Sequence, residues 1–305
     1  MTDLYPSRHA DAAKILPRLD PVVHSTWTEA APLTRDQTRQ FDREGFLVLD
    51  GLFDTDEVEA LKTESTNLLA DPARLDADSI IAEPQGHEIR SIFAIHRQNE
   101  LMARLCADRR LADIARFLLG DEVYIHQSRL NFKPGFQGKE FYWHSDFETW
   151  HVEDGMPQMR ALSMSLLLAP NSEHNGPLML MPGSHRKYLA CVGETPENHY
   201  LTSLKKQEYG VPDNAHLTGL AVEHGISAAT GVAGSIVIFD CNIMHGSNGN
   251  ITPFPRANAF FVYNAASNRL VAPFGPKTPR PEYIAARKHT DILPKLDKSF
   301  LEVAA

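Results

Sequence analysis

Cysteine is scarce, with Cys106, Cys191 and Cys241 the only three in 305 residues. An odd, sparse set makes no disulfide framework, and the absence of any CxxC pair argues against zinc held by thiolates. No run of 18 apolar residues occurs, so no membrane-spanning helix is predicted. The segment Met1–His9 is polar and lacks the apolar stretch of a secretory signal, which predicts a cytoplasmic protein. Basic runs are missing too. Lys and Arg number 30 against 39 Asp and Glu, a net charge of -9, which leaves no electrostatic footprint for nucleic acid. There is no internal repeat and no low-complexity tract.

What remains is ordinary globular composition, 43% hydrophobic and 23% charged. The length suits one large domain or two small ones and can bury a sizeable core. We expect a single domain over 1–305, with an irregular, proline-bearing arm at 1–32. Thr34 is placed to cap a helix running to Arg43 that Gly45 ends. Phe46–Asp50 reads as a short strand, and Asp54 or Thr55 caps a second helix to Ala70. Residues 71–88 read as loop, and 98–119 as a helix stopped by Gly120. From Glu122 the period changes to that of strands: 123–132, 141–148, 161–169, 178–181, 235–240 and 258–264. Helices followed by many short strands predict an α+β fold with a sandwich or barrel core. The long interval 183–233 is a candidate lid insertion.

The chemistry gathers in the strand-rich half. On a strand, His-x-Asp turns an imidazole and a carboxylate to one face. Such a pair arises by chance about once in a chain of this composition. Here it occurs three times, at His9/Asp11, His144/Asp146 and His289/Asp291. Only His144/Asp146 sits among aromatic residues (Phe141, Tyr142, Trp143, Phe147) in the strand-rich region; the other two read as surface pairs. A later histidine, His245, follows the apolar strand 235–240. Two imidazoles and a carboxylate leave coordination positions open, the arrangement that suits iron(II) and oxygen chemistry.

Arg256 lies eleven residues beyond His245, at the start of an otherwise apolar strand. A buried guanidinium needs an anion. Its fork fits a carboxylate, either the distal one of 2-oxoglutarate or that of an acidic side chain in a structural salt bridge. Gln127, Arg129 and Asn131 share one strand face, which lines a cavity or meets solvent. Trp150 and Phe261 read as core aromatics on their own. The remaining histidines read as surface or structural, and His151 could be a fourth ligand. Glu148, Glu153 and Asp154 either orient the ligands or sit solvated in a turn.

Together His144, Asp146, His245 and Arg256 resemble the iron(II)/2-oxoglutarate dioxygenases of the phytanoyl-CoA dioxygenase superfamily. The stretches Phe141–Pro157, Gln127–Asn131, Met181–His185 and Phe239–Gly246 are similar to those of its ectoine hydroxylases, and the likeness runs from about residue 34 to 290. The resemblance implies a double-stranded β-helix core of antiparallel strands surrounded by helices. It implies Fe(II) on His144, Asp146 and His245, with 2-oxoglutarate and O2 as cosubstrates. Arg256 and Asn131 would contact 2-oxoglutarate, with Phe141 and Ser247 near it. Gln127, Trp150 and Phe261, with Arg129 and Thr149, would line the substrate pocket. The implied activity is hydroxylation of ectoine to 5-hydroxyectoine by a homodimer serving osmolyte synthesis in the stress response. The alternatives are a hydroxylase of another small zwitterion, such as a proline derivative, and a non-catalytic jelly-roll module with a structural metal.

Overall fold

The structure is a computed structural model that describes residues 3–8, 12–82, 88–203, 209–296 and 299–302. Its first helices begin where side chains can satisfy free backbone amides. Thr34 and Gln37 form a capping box at the start of the helix Arg35–Glu44, and Gly45, at φ 78°, ends it. Asp54, rather than Thr55, caps the helix Thr55–Ala70, with Glu57 closing the box. The expected helix over 98–119 is instead three, Ile95–Gln98, Glu100–Ala107 and Arg109–Leu119. Asn99 and Asp108 break it. Each accepts a hydrogen bond from a backbone amide ahead of it and restarts the helix as an N-cap.

The strands, in chain order, are β1 (Lys14–Pro17), β2 (Phe46–Leu49), β3 (Ile80–Ala82), β4 (Ile89–Phe93), β5 (Val123–Lys133), β6 (Phe141–His144) and β7 (Ala161–Leu167). Then come β8 (Leu178–Leu180), β9 (Lys187–Ala190), β10 (Ser227–Ala229), β11 (Ile236–Asp240), β12 (His245–Ser247) and β13 (Arg256–Ala265). Seven of them form the sheet β2-β11-β7-β13-β5-β4-β3, and four form the facing sheet β10-β8-β12-β6. Their pairings are antiparallel.

Side-chain alternation divides the large sheet into two faces. Ile236, Ile238, Met164, Leu166, Phe261 and Tyr263 pack with the helices in one apolar cluster. Val237, Phe239, Phe260 and Val262 face the other way, into a second cluster with Leu180 of the small sheet. Helices therefore cover one face and the small sheet the other, the arrangement of a double-stranded β-helix.

The N-terminal arm is irregular over most of its described length, as expected, but it is tied to the body of the fold. β1 pairs with β9, Tyr5 is fully buried, and Arg8 is buried in salt bridges to Glu148 (2.6 Å) and Glu153 (2.7 Å). Pairing with a strand 170 residues away is invisible to local pattern. The interval 183–233 is likewise more ordered than a bare loop, with β9, the helix Asn214–His224 and β10, which joins the small sheet. Residues 204–208 of it lie outside the described residues. No helix among the described residues is long and apolar enough to cross a membrane.

Glu148, Glu153 and Asp154 are all buried, so they are not solvated turn carboxylates. Arg8 is the partner of the first two. Arg8→Met is expected to lower stability by about 3–5 kcal/mol, because it leaves buried carboxylates uncompensated. Urea denaturation checks this; a loss below about 1 kcal/mol would mean that the arm merely rests on the core.

Candidate active site

The metal candidates meet at a corner between a strand and a helix. β6 ends at His144, Ser145 turns the chain, and Asp146 opens the helix Asp146–Asp154. The expected strand over 141–148 is therefore cut short, and the two ligands do not share a strand face. The corner itself brings them together, and a helix N-terminus favours the Asp146 carboxylate. β12 supplies the third group, with His245 directly opposite His144 in the ladder.

The atoms converge. His144 Nε2 lies 3.6 Å from Asp146 Oδ1, and His245 Nε2 lies 3.8 Å from Asp146 Oδ2. One donor atom from each residue falls within 4.8 Å of the others, and no other such trio exists among the described residues. Both imidazoles are set for metal by their far nitrogens. His144 Nδ1 meets the Tyr142 carbonyl at 2.8 Å and His245 Nδ1 the Ile243 carbonyl at 3.0 Å. A carbonyl only accepts, so each Nδ1 carries the proton and each Nε2 keeps its lone pair for the centre.

Protonation favours ligation as well. Burial alone would raise the Asp146 carboxyl, but His245, His144 and Arg129 outweigh it and hold it at about 2. Burial and the charge of His144 bring His245 down to about 4. At neutral pH the trio is thus a carboxylate and a neutral imidazole beside His144, forms a divalent cation can bind. His151 is not a fourth ligand. Its nitrogens meet the Met156 carbonyl (2.7 Å) and Asp3 (2.9 Å), and its ring stacks on Phe274. Three ligands with positions to spare match iron(II) better than a closed structural site.

A cavity opens beside the trio, lined by the inner face of the large sheet. Arg129, Asn131 and Lys133 of β5 stand there opposite Phe260, Asn258 and Arg256 of β13. This answers the question left by the polar face of β5 for Arg129 and Asn131, which line a cavity. Phe141 and Ser247 also line it. Arg256 has no carboxylate partner among the described residues, and its Nε has no hydrogen bond. Burial and the nearby Arg90 pull its guanidinium down to about 10. A cation held so is built to receive an anion.

Arg129 sits over the Phe260 ring, 4.3 Å from its centroid, and donates to Gln127 Oε1 at 2.8 Å. Lys133 Nζ donates to Ser247 Oγ at 2.9 Å and to the Asn248 carbonyl at 2.5 Å. Asn131 Oδ1 accepts from Ser91 at 2.7 Å.

Four expected pocket residues lie outside this lining. Gln127 donates to the Ile284 carbonyl and holds Arg129. Thr149 and Trp150 ride on the helix after Asp146; both are buried, and Trp150 meets His126 edge-to-face at 5.2 Å. Phe261 points away, into the helix-side core. The reason is parity. Five residues from Arg256 is an odd step and reverses the face, whereas Phe260, at four, shares it. Arg90, Lys133, Phe239 and Phe260 line the cavity without having been singled out. Parity could have found Phe260 and Lys133; Arg90 sits in β4, a short strand between the stretch read as loop and the expected helix, to which no element was assigned.

Phe260 and Phe261 therefore separate in their effects. Phe261→Ala is expected to cost about 3–5 kcal/mol of stability, the price of a core cavity, with little change in the kinetics of the folded enzyme. Phe260→Ala is expected to lower kcat/KM about tenfold, as Arg129 loses its ring platform. Denaturation midpoints and steady-state rates check both.

Comparison with known proteins extends this reading. The family model for phytanoyl-CoA dioxygenase matches residues 41–258. The chain belongs to the phytanoyl-CoA dioxygenase family. Within it, the chain is 69% identical to the ectoine dioxygenase of Sphingopyxis alaskensis over 94% of both chains. It is 57% identical to that of Stutzerimonas stutzeri over 96% of this chain and 98% of the relative. The crystal structure of EctD from S. alaskensis with 2-oxoglutarate and 5-hydroxyectoine superposes with a TM-score of 0.90 at 61% identity, covering 98% and 99% of the two chains. The same protein with bound Fe gives 0.87, at 62% identity over 96% and 97%. The carbocyclase SnoK, at 17% identity and a TM-score of 0.59 over 77% and 85%, shares the fold alone. Family membership accords with the α+β, double-stranded β-helix core.

Proposed function

We propose that this protein is an Fe(II)- and 2-oxoglutarate-dependent dioxygenase that hydroxylates ectoine to 5-hydroxyectoine, with succinate and CO2 as co-products. The observation that carries this is the converging His144–Asp146–His245 trio beside a cavity whose Arg256 has no carboxylate partner among the described residues. The strong identity to ectoine dioxygenases supplies the substrate. Iron(II), when bound, supplies the activation of dioxygen that C–H hydroxylation needs.

The chain's own residues bind and orient. His144, Asp146 and His245 hold the metal. Arg256 takes the distal carboxylate of 2-oxoglutarate as a bidentate partner, with Asn131 beside it. Phe141 walls that cosubstrate, and Ser247, fixed by Lys133, offers it a hydroxyl. On the substrate side, Trp150, although it lies outside the cavity lining, is the aromatic group assigned to the ectoine amidinium, an attraction of about 0.5–2 kcal/mol on contact. Gln127, Thr149 and Arg129 supply polar contacts, and Phe260 takes the place first given to Phe261. The chain works as one domain, as a homodimer in the cytoplasm, in osmolyte synthesis under stress.

The test is direct. Protein loaded anaerobically with Fe(II) receives 2-oxoglutarate, oxygen and ectoine, and the products are read by mass. One succinate per 5-hydroxyectoine is expected. Succinate formation that ignores ectoine but responds to a proline derivative would transfer the reading to that substrate.

A further inference from the structure

One feature of the corner at Ser145 breaks a local rule. Serine at a helix N-cap ordinarily accepts a hydrogen bond from an amide of the first turn. Ser145 is the N-cap of the helix Asp146–Asp154, yet its hydroxyl makes no such bond. It donates instead to Asn242 Oδ1 at 3.0 Å, with both residues buried. The amide of Phe147 is turned the same way and donates to the Cys241 carbonyl at 2.7 Å. The segment just before His245 thus serves as the cap of the helix that begins with Asp146.

Asn242 is itself held on every side. Its Nδ2 donates to the carbonyls of His185 (2.9 Å) and Lys187 (3.0 Å), and its backbone amide donates to Asp240 Oδ1 at 2.8 Å. That carboxylate is anchored by Arg18 at 2.8 Å. The β6–β12 ladder already registers His144 against His245. Asp146 lies beyond the end of that ladder, and the hydrogen bond its carboxylate accepts from Ser163 is long, at 3.4 Å, so something else must fix the corner.

We propose that Asn242, acting through Ser145, is the positioning residue that sets the Asp146 carboxylate against the two imidazoles. It touches no ligand; it fixes the corner that presents one. This rests on the iron reading of the trio. Residues that orient metal ligands typically carry about a 10–100-fold effect on affinity.

The test is Fe(II) affinity, measured anaerobically by chelator competition well below the melting temperature, so that every variant is fully folded. S145A is expected to weaken Fe(II) about 10–100-fold, and N242A at least as much. The double variant S145A/N242A should bind no more weakly than N242A, because one link cannot be cut twice. Co(II) absorption should shift in S145A, reporting altered ligand geometry. A merely structural bond would lower the melting temperature and leave affinity and spectrum alone. S145A matching the parent in Fe(II) affinity would overturn the proposal, as would additive losses in the double variant. A parent that takes up no Fe(II) would overturn the iron reading itself, which separates the two failures.

Discussion

His144→Ala is expected to abolish iron retention and turnover together. The reason lies in the geometry of the trio. With three protein ligands and no fourth among the described residues, no spare side chain there replaces the lost imidazole. His151, the nearest thought, is fully buried with both nitrogens occupied. The loss should exceed the factor of about 100 that marks changes to outer neighbours of a metal. It should also leave the fold intact, because His144 ends its strand and its side chain donates one hydrogen bond, to the Tyr142 carbonyl. Metal analysis of the purified variant, with its melting curve, checks this. A variant that keeps stoichiometric iron and activity would remove His144 from the ligand set. Asp146→Ala and His245→Ala should behave alike, since each supplies one of three donors.

The trio was legible in the sequence, but for a reason the structure replaces. Strand alternation explains neither His144 nor Asp146, because β6 stops between them. What made the pair readable was its aromatic surroundings and the later His245. Caps were equally legible: Thr34, Asp54, Gly45 and Gly120 act locally, through bonds to residues a few positions away. The failures share the opposite trait. β1 exists only because β9 pairs with it, and Arg8 is buried only because Glu148 and Glu153 meet it. Composition near a run of prolines cannot report such partners. Phe261 was a failure of a different kind, since simple parity from Arg256 would have chosen Phe260.

Arg256→Ala is expected to raise the 2-oxoglutarate requirement by about 30-fold or more, the 2–5 kcal/mol cost of removing one partner of a buried charge pair. Ectoine binding should change little. A second expectation separates this from a structural salt bridge. In the unliganded protein, burial and Arg90 both disfavour the Arg256 cation, and no carboxylate among the described residues faces it. Removing an unpaired buried charge relieves that cost, so Arg256→Leu should melt no lower than the parent without ligand. The parent should gain thermal stability from 2-oxoglutarate in proportion to occupancy, and the variant should gain almost none. Lysine cannot reproduce the two-pronged contact, so Arg256→Lys should recover only part of the affinity. A melting temperature that falls in Arg256→Leu, with 2-oxoglutarate affinity unchanged, would make Arg256 a structural residue. The cavity would then need another cation, and Lys133, on the same face, would be the group to examine.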